Sequence, residues 1–259
     1  MRFLGKSPAR GLVDTADIAD DAITEAKMAT DAIGLTELKA GTDGNVISFD
    51  SSGDPVAIAT GTAGHFLKSQ GAGSQPVFAA AGGAWNLIGT AVGDNSGTSL
   101  TITGLSSTYD LYCIGISDLV PASDAVQCYL RLGDSSGVDS GGSDYDYHIG
   151  GGNSNGTSYS ATSSTGASFM GLTSSNAASC GSDTGEGLGA TLWLTSPSDG
   201  TIYPSVNGTV HYGNNGGGTF AGFMSGFRGA VIGVDRVDVS FASGNIESGR
   251  LSVWGVSHA

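Results

Sequence analysis

The sequence predicts an all-β protein: a C-terminal antiparallel β-sandwich of jelly-roll type, preceded by a thin, repeat-containing stem with short helical turns. Three observations predict it. Beyond residue 84, apolar and polar residues alternate with period two over many short segments, and helical periodicity is missing. Glycine supplies 44 of 259 residues, about 17% against a usual ~7%, which marks a chain dense in turns. Residues 14–80 hold two short internal repeats, each too poor in apolar groups to bury a core by itself.

The first ten residues, MRFLGKSPAR, contain Arg2, Lys6 and Arg10 and no acid, with Phe3 and Leu4 as adjoining apolar groups. Residues 1–13 therefore form a terminal peptide of their own. Over 14–40, the stretch DDAITEAKM (20–28) is echoed by TDAIGLTELK (30–39). Each TEAK or TELK unit can close one helical turn but is too short to persist as an isolated helix.

Over 41–83, GTDGNVISFDSSGDPVAIAT is followed by GTAGHFLKSQGAGSQPVFAA, with Gly41/Gly61, Gly44/Gly64, Ile47/Leu67 and Gly53/Gly73 at one offset. Each copy reads as turn, short strand, Gly-rich turn, short strand, with Pro55 and Pro76 ending the pairing. Such hairpins are marginal alone. The repeated pairs Val46-Ile47 and Phe66-Leu67 predict an ordered stem of associated chains, and AAAGGA (79–84) a joint.

From residue 84 to 259 the pattern predicts strands near 85–92, 99–105, 109–117, 125–133, 167–172, 189–196, 209–213, 222–228, 236–243 and 250–257. The Gly- and Ser-rich stretches 134–165 and 174–188 read as long loops at one rim. Trp85, Trp193 and Trp254 fall inside strand patterns, as core or intersubunit residues.

The formal net charge is −14. From residue 84 onward there are 14 acids and 4 arginines, a net of 4 − 14 = −10. No basic stripe exists for nucleic acid. No run approaches the ~18 apolar residues of a membrane helix, so no membrane insertion is expected. The start has no apolar h-region of a signal peptide. Cys113, Cys128 and Cys180 are odd in number and lack CxxC spacing, which predicts buried reduced thiols and assembly in a reducing cytoplasm.

Catalytic signatures are missing: no GxSxG, HExxH, P-loop or helix-opening GxGxxG. The chain reads as a non-enzyme with no catalytic residue. Polysaccharide cleavage would need a carboxylate pair about 5–9 Å apart, and Asp144, Asp146, Asp183 and Glu186 read as solvated loop acids. Asp134, Asp139, Asp144 and Asp146 lie among Ser and Gly, a composition compatible with calcium. Their spacing is not that of an EF-hand, so no metal ligand is assigned and no cofactor is expected.

A carbohydrate contact is the functional reading that the loops support. In DYDYH (144–148), Tyr145 and Tyr147 offer faces for stacking, and Asp144, Asp146 and His148 offer hydrogen-bond partners. Tyr159 extends the same character. The competing reading is that both tyrosines cover a strand or an intersubunit seam.

The motifs D-A-I-T-x-A-K-M (21–28, echoed at 31–39) and G-T-A-G-x-F-L-x-S-x-G-A-G-S-x-P-V-F (61–78) resemble stem repeats of bacteriophage tail and head fibres. The stretches 109–132 and 236–257 resemble a β-sandwich that ends phage virion proteins. With about two copies of each repeat the stem is short, which favours a short fibre, a head fibre or a spike. The resemblance implies a homotrimer in the virion, assembled in the bacterial host cytoplasm. Its N-terminus (Arg2, Phe3, Leu4, Lys6, Arg10) would dock on a portal, capsid or tail adaptor protein. Its C-terminal domain would be exposed to host cell-surface polysaccharide. The alternatives are a capsid decoration protein without a receptor role, a polysaccharide depolymerase spike, and a cellular lectin or adhesin.

Overall fold

The computed structural model describes residues 18–20, 22–24, 27–28, 41–53, 55–80, 84–156, 159–174 and 179–257. The chain divides into two compact units, Met1–Ala81 and Gly82–Ala259. Among the described residues every regular element is a β-strand, and no helix is long and apolar enough to cross a membrane.

In the first unit, β1 (Val46–Phe49) pairs antiparallel with β2 (Pro55–Ile58), and β3 (His65–Lys68) with β4 (Val77–Ala80). The two copies of the repeat thus fold alike. In each, a backbone turn leads into the first strand: Asn45 N–H donates to Thr42 O at 3.2 Å, and His65 N–H to Thr62 O at 2.9 Å. Gly44 and Gly64 occupy the turn at φ 77° and 87°, a left-handed conformation that glycine adopts without steric cost. Pro55 opens β2 opposite Phe49, at the limit of pairing, where its missing N–H does no harm. Of the short TEAK turn, Lys27 N–H donates to Thr24 O at 2.8 Å. The TELK copy and the docking residues Arg2, Phe3, Leu4, Lys6 and Arg10 lie outside the described residues.

The second unit contains β5 (Trp85–Val92), β6 (Ser99–Thr103), β7 (Leu111–Pro121), β8 (Cys128–Asp134), β9 (Gly137–Val138), β10 (Tyr145–Asn153), β11 (Tyr159–Ala167), β12 (Met170–Gly171), β13 (Leu188–Thr195), β14 (Ser205–Gly213), β15 (Thr219–Arg228), β16 (Arg236–Phe241) and β17 (Ile246–Val256). Eight form a sheet in the order β11-β10-β15-β14-β13-β7-β17-β5. A smaller sheet runs β12-β8-β16-β6, with β9 on β8. All pairings are antiparallel.

One core joins the two sheets. Inward positions of the large sheet (Ile114, Ile116, Leu192, Leu194, Met224, Leu251, Val253) share a buried cluster with Leu100, Ile102, Leu130, Leu132, Val237 and Val239 of the small one. These are the period-two positions of the sequence, and they bury because successive side chains leave a strand on opposite faces.

Two expectations are corrected. The stretch 134–165 is not a rim loop: β10 and most of β11 lie within it, paired from Tyr145↔Ala167 to Gly152↔Tyr159. Its Gly- and Ser-rich sequence is held by ladder hydrogen bonds, β10 to β15 and β11 to β10, with Tyr145 and Ile149 as buried anchors. Of the two readings of the tryptophans, core or intersubunit, the core one falls. Trp85 is 49% exposed, and Trp193 and Trp254 are half-buried on the outward face of the large sheet.

Candidate functional site

The motif DYDYH lies on β10, so its side chains alternate between the two faces. Tyr145 points inward and is fully buried. Its hydroxyl accepts from Leu132 N–H and donates toward Leu132 O, each at 2.9 Å. Burial pushes its ionisation well above the usual range. Tyr147 also faces inward, its ring 5.9 Å from that of Phe169 and lying over Gly171. Tyr145 cannot offer a stacking face to a sugar, and the half-buried Tyr147 lies on the opposite face of the strand from His148, which corrects the expectation that the pentapeptide forms one contact patch.

The acids of the motif are engaged as well. Asp144 pairs with Arg228 at 3.2 Å, and the same guanidinium contacts Asp139 at 2.7 Å. Asp146 accepts from Gly166 N–H at 2.7 Å. Asp134 accepts from the N–H and hydroxyl of Ser136, which lowers its ionisation. The four aspartates therefore do not converge, and Arg228 places a positive charge between two of them. Among the described residues no group of three or more His, Cys, Asp or Glu side chains could hold a metal ion. Glu186 caps its own loop, accepting from Asp183 N–H at 2.9 Å.

His148 and Tyr159 do reach solvent, both on the outward face of the large sheet. The register assembles that face in rows. One row runs Gly189, His211, Ala221, Gly152, Tyr159 across β13, β14, β15, β10 and β11. The next runs Thr191, Thr209, Phe223, Gly150, Ala161. A third crosses all eight strands as Leu87, Trp254, Cys113, Trp193, Asn207, Ser225, His148, Ser163.

Tyr159 and Phe223 are 67% and 71% exposed. A methyl at Gly150 would run into the Tyr159 hydroxyl, so the missing side chain is what lets the ring lie flat on the sheet. A hollow of 380 Å³ adjoins the first row, lined by Gly189, His211, Ala221 and Glu186 among others. The three rows hold aromatic rings, hydroxyls, an amide and imidazoles, and no Asp, Glu, Lys or Arg. Such a surface can stack on the C–H face of a sugar and exchange hydrogen bonds with its hydroxyls.

Phe223 is the contributor that sequence reasoning missed. Its signal was the adjacent pair Phe223-Met224, since two neighbours in a strand cannot both face the core. Met224 does, at 2% exposure.

The opposite end of the same face is apolar. Trp85 and Trp193 meet edge to face at 5.5 Å between ring centroids. Leu87 is 59% exposed beside Trp254 on the edge strand β5. Cys113, Cys128 and Cys180 are all buried free thiols. Burial pushes Cys128 well up and Cys180 up to about 12.

Compared with family models, with curated proteins and with solved structures, the chain matches none.

Proposed function

We propose that the chain is a structural, non-catalytic subunit of a bacteriophage fibre or spike. Three copies associate through the stem repeats, and the C-terminal unit, a sandwich of jelly-roll type, contacts host-surface polysaccharide. In this reading the basic N-terminal peptide docks on a portal, capsid or tail adaptor protein of the virion. The observation that carries it is the exposure of Ile47, Phe49 and Phe66, each 63–64% exposed, on hairpins of two four-residue strands. Isolated two-stranded hairpins are marginal in water, and apolar groups left outside them gain stability only against another surface. The repeated motif makes an identical chain the natural surface.

The outward face of the large sheet supports the same division of labour. Its Trp85, Leu87, Trp193 and Trp254 end suits burial against a neighbouring copy, and its Tyr159, Phe223 and His148 end suits a glycan. Light scattering on the full chain tests the assembly. Three chains of 25.7 kDa, about 77 kDa, are expected. A stable species of one chain's mass would sink the fibre reading and favour a decoration protein or a lectin.

A further inference from the structure

Facing outward on the small sheet, on the side away from the surface just described, is a second polar constellation. On β16, Val237, Val239 and Phe241 point to the core, so Asp238 and Ser240 point outward. Outward residues of a sandwich are ordinarily solvated, yet these are only 5% and 8% exposed. They sit at the floor of a groove of 430 Å³ walled by Ser99, Thr101, Arg131 and Ser140, within the about 300–1,000 Å³ of small-molecule sites. The register sets them side by side, with Asp238 opposite both Thr101 and Arg131, and Ser240 opposite Ser99.

The groups are held in place before any ligand arrives. Thr101 donates its hydroxyl to Asp238 Oδ1 at 2.7 Å. Arg131 donates from Nε to Ser168 O and from one terminal nitrogen to Ser240 Oγ, each at 3.0 Å. Its guanidinium carbon lies 5.5 Å from the Tyr129 ring and 6.0 Å from Phe169, and those two rings stack at 3.7 Å. Among the described residues, ion pairs engage Arg228 and Arg236 but neither Arg131 nor Asp238. A fixed cation and a fixed, nearly buried anion thus share one groove without neutralising each other in a direct pair.

We propose that this groove binds a neutral hexopyranose residue. Asp238 accepts from vicinal sugar hydroxyls, Arg131 donates its outer N–H groups to a hydroxyl or the ring oxygen, and Ser99, Ser140 and Ser240 do either. Hydroxyl groups on both partners act as donor and acceptor, and the preorganised guanidinium loses little freedom on binding. The Asp238 carboxylate at the floor disfavours phosphate, sulfate and uronate, so the charge balance selects an uncharged sugar. A single carboxylate leaves the groove one short of the pair that glycoside hydrolysis requires, so it binds and does not cleave. This inference does not depend on the large-sheet face.

Saturation-transfer NMR on the full chain tests it, with the methyl glycosides of glucose, galactose, mannose and N-acetylglucosamine, and with glucuronate and inorganic phosphate as anionic probes. At least one neutral glycoside is expected to bind and the anions not to. Asp238→Asn weakens that binding at least about tenfold, the loss of one charge-assisted hydrogen bond. Ser140→Trp, from the exposed rim, blocks it without touching the buried network. Each variant is also measured in the Tyr159→Ala, Phe223→Ala background, which takes away what the large sheet contributes and leaves the groove's own binding in place. The proposal is overturned if no neutral glycoside binds, if an anion binds instead, or if binding survives Ser140→Trp in that background. Complete loss of neutral-glycoside binding in the Tyr159→Ala, Phe223→Ala background would also overturn it, and would assign the sugar to the large sheet alone.

Discussion

The hydroxyl of Tyr145 closes a two-way hydrogen bond with the backbone of Leu132, 2.9 Å from both its nitrogen and its carbonyl oxygen. Tyr145 belongs to the large sheet and Leu132 to the small one, so the pair ties the two sheets across the core. A third partner, Asp139 O, lies 3.0 Å away. Tyr145→Phe keeps the ring and takes the hydroxyl partner from Leu132 N–H in a buried site, while Leu132 O keeps the Asp139 N–H. It is expected to cost about 1–3 kcal/mol of stability. Thermal unfolding of the full chain would reveal the loss, and glycan binding at either outer face should not change. An unshifted transition would mean that the tie contributes nothing.

The outer face of the large sheet should respond in the opposite way. Phe223→Ala removes a ring that is 71% exposed, and surface substitutions of this kind stay within about 0.5 kcal/mol. Gly150→Ala places a methyl where the Tyr159 hydroxyl lies, and the mobile end of that side chain can swing away. Both variants should fold normally and bind bacterial surface polysaccharide on a glycan array several-fold more weakly. Undiminished binding by both would remove this face from recognition.

In the stem, the double change Ile47→Ser and Phe66→Ser takes two exposed apolar groups from the hairpins. Buried against neighbours, each would contribute roughly 1.5–3 kcal/mol per chain. The mass by light scattering should fall toward 25.7 kDa, while the β-sheet circular dichroism of the C-terminal unit persists. Retention of a trimer would move the assembly surface to the tryptophan end of the large sheet.

The buried thiols set an alkaline limit. Cys180 is pushed up to about 12 by burial first, then by Glu186 and Asp124, and Cys128 is raised in the same direction. A thiol whose folded pKa lies above its unfolded value favours folding through its neutral form. That contribution is whole below about pH 8.5, the ordinary thiol value, and is lost as pH rises toward 12. The melting temperature should therefore decline from pH 9 upward. Ellman's reagent should titrate three thiols in denaturant and almost none in the native chain at pH 8. Fast native labelling of Cys128 or Cys180 would contradict their burial.

Much of the architecture was legible in the residues themselves. Leu100 and Ile102, Leu130 and Leu132, and Val237 and Val239 alternate with polar neighbours, and one buried face per strand follows from that period alone. The offset of Gly44 and Gly64 marked two equivalent turns because only glycine takes their positive φ without strain. The sequence reads 134–165 as a loop because Gly, Ser and Thr fill most of the stretch, and the alternation of Tyr145, Tyr147 and Ile149 stops at Gly150. β10 exists through the ladder that β15 offers it and β11 through the one that β10 offers, and backbone hydrogen bonds carry no side-chain signature. Whether Tyr145 or Tyr159 faces water depends on register, and a shift of one residue exchanges the faces. The gathering of Tyr159, Phe223 and His148, and of Thr101, Arg131 and Asp238, likewise joins residues far apart in the chain. Outside 134–165, local sequence determined which segments become strands. Only the pairing of those strands decided which side chains meet.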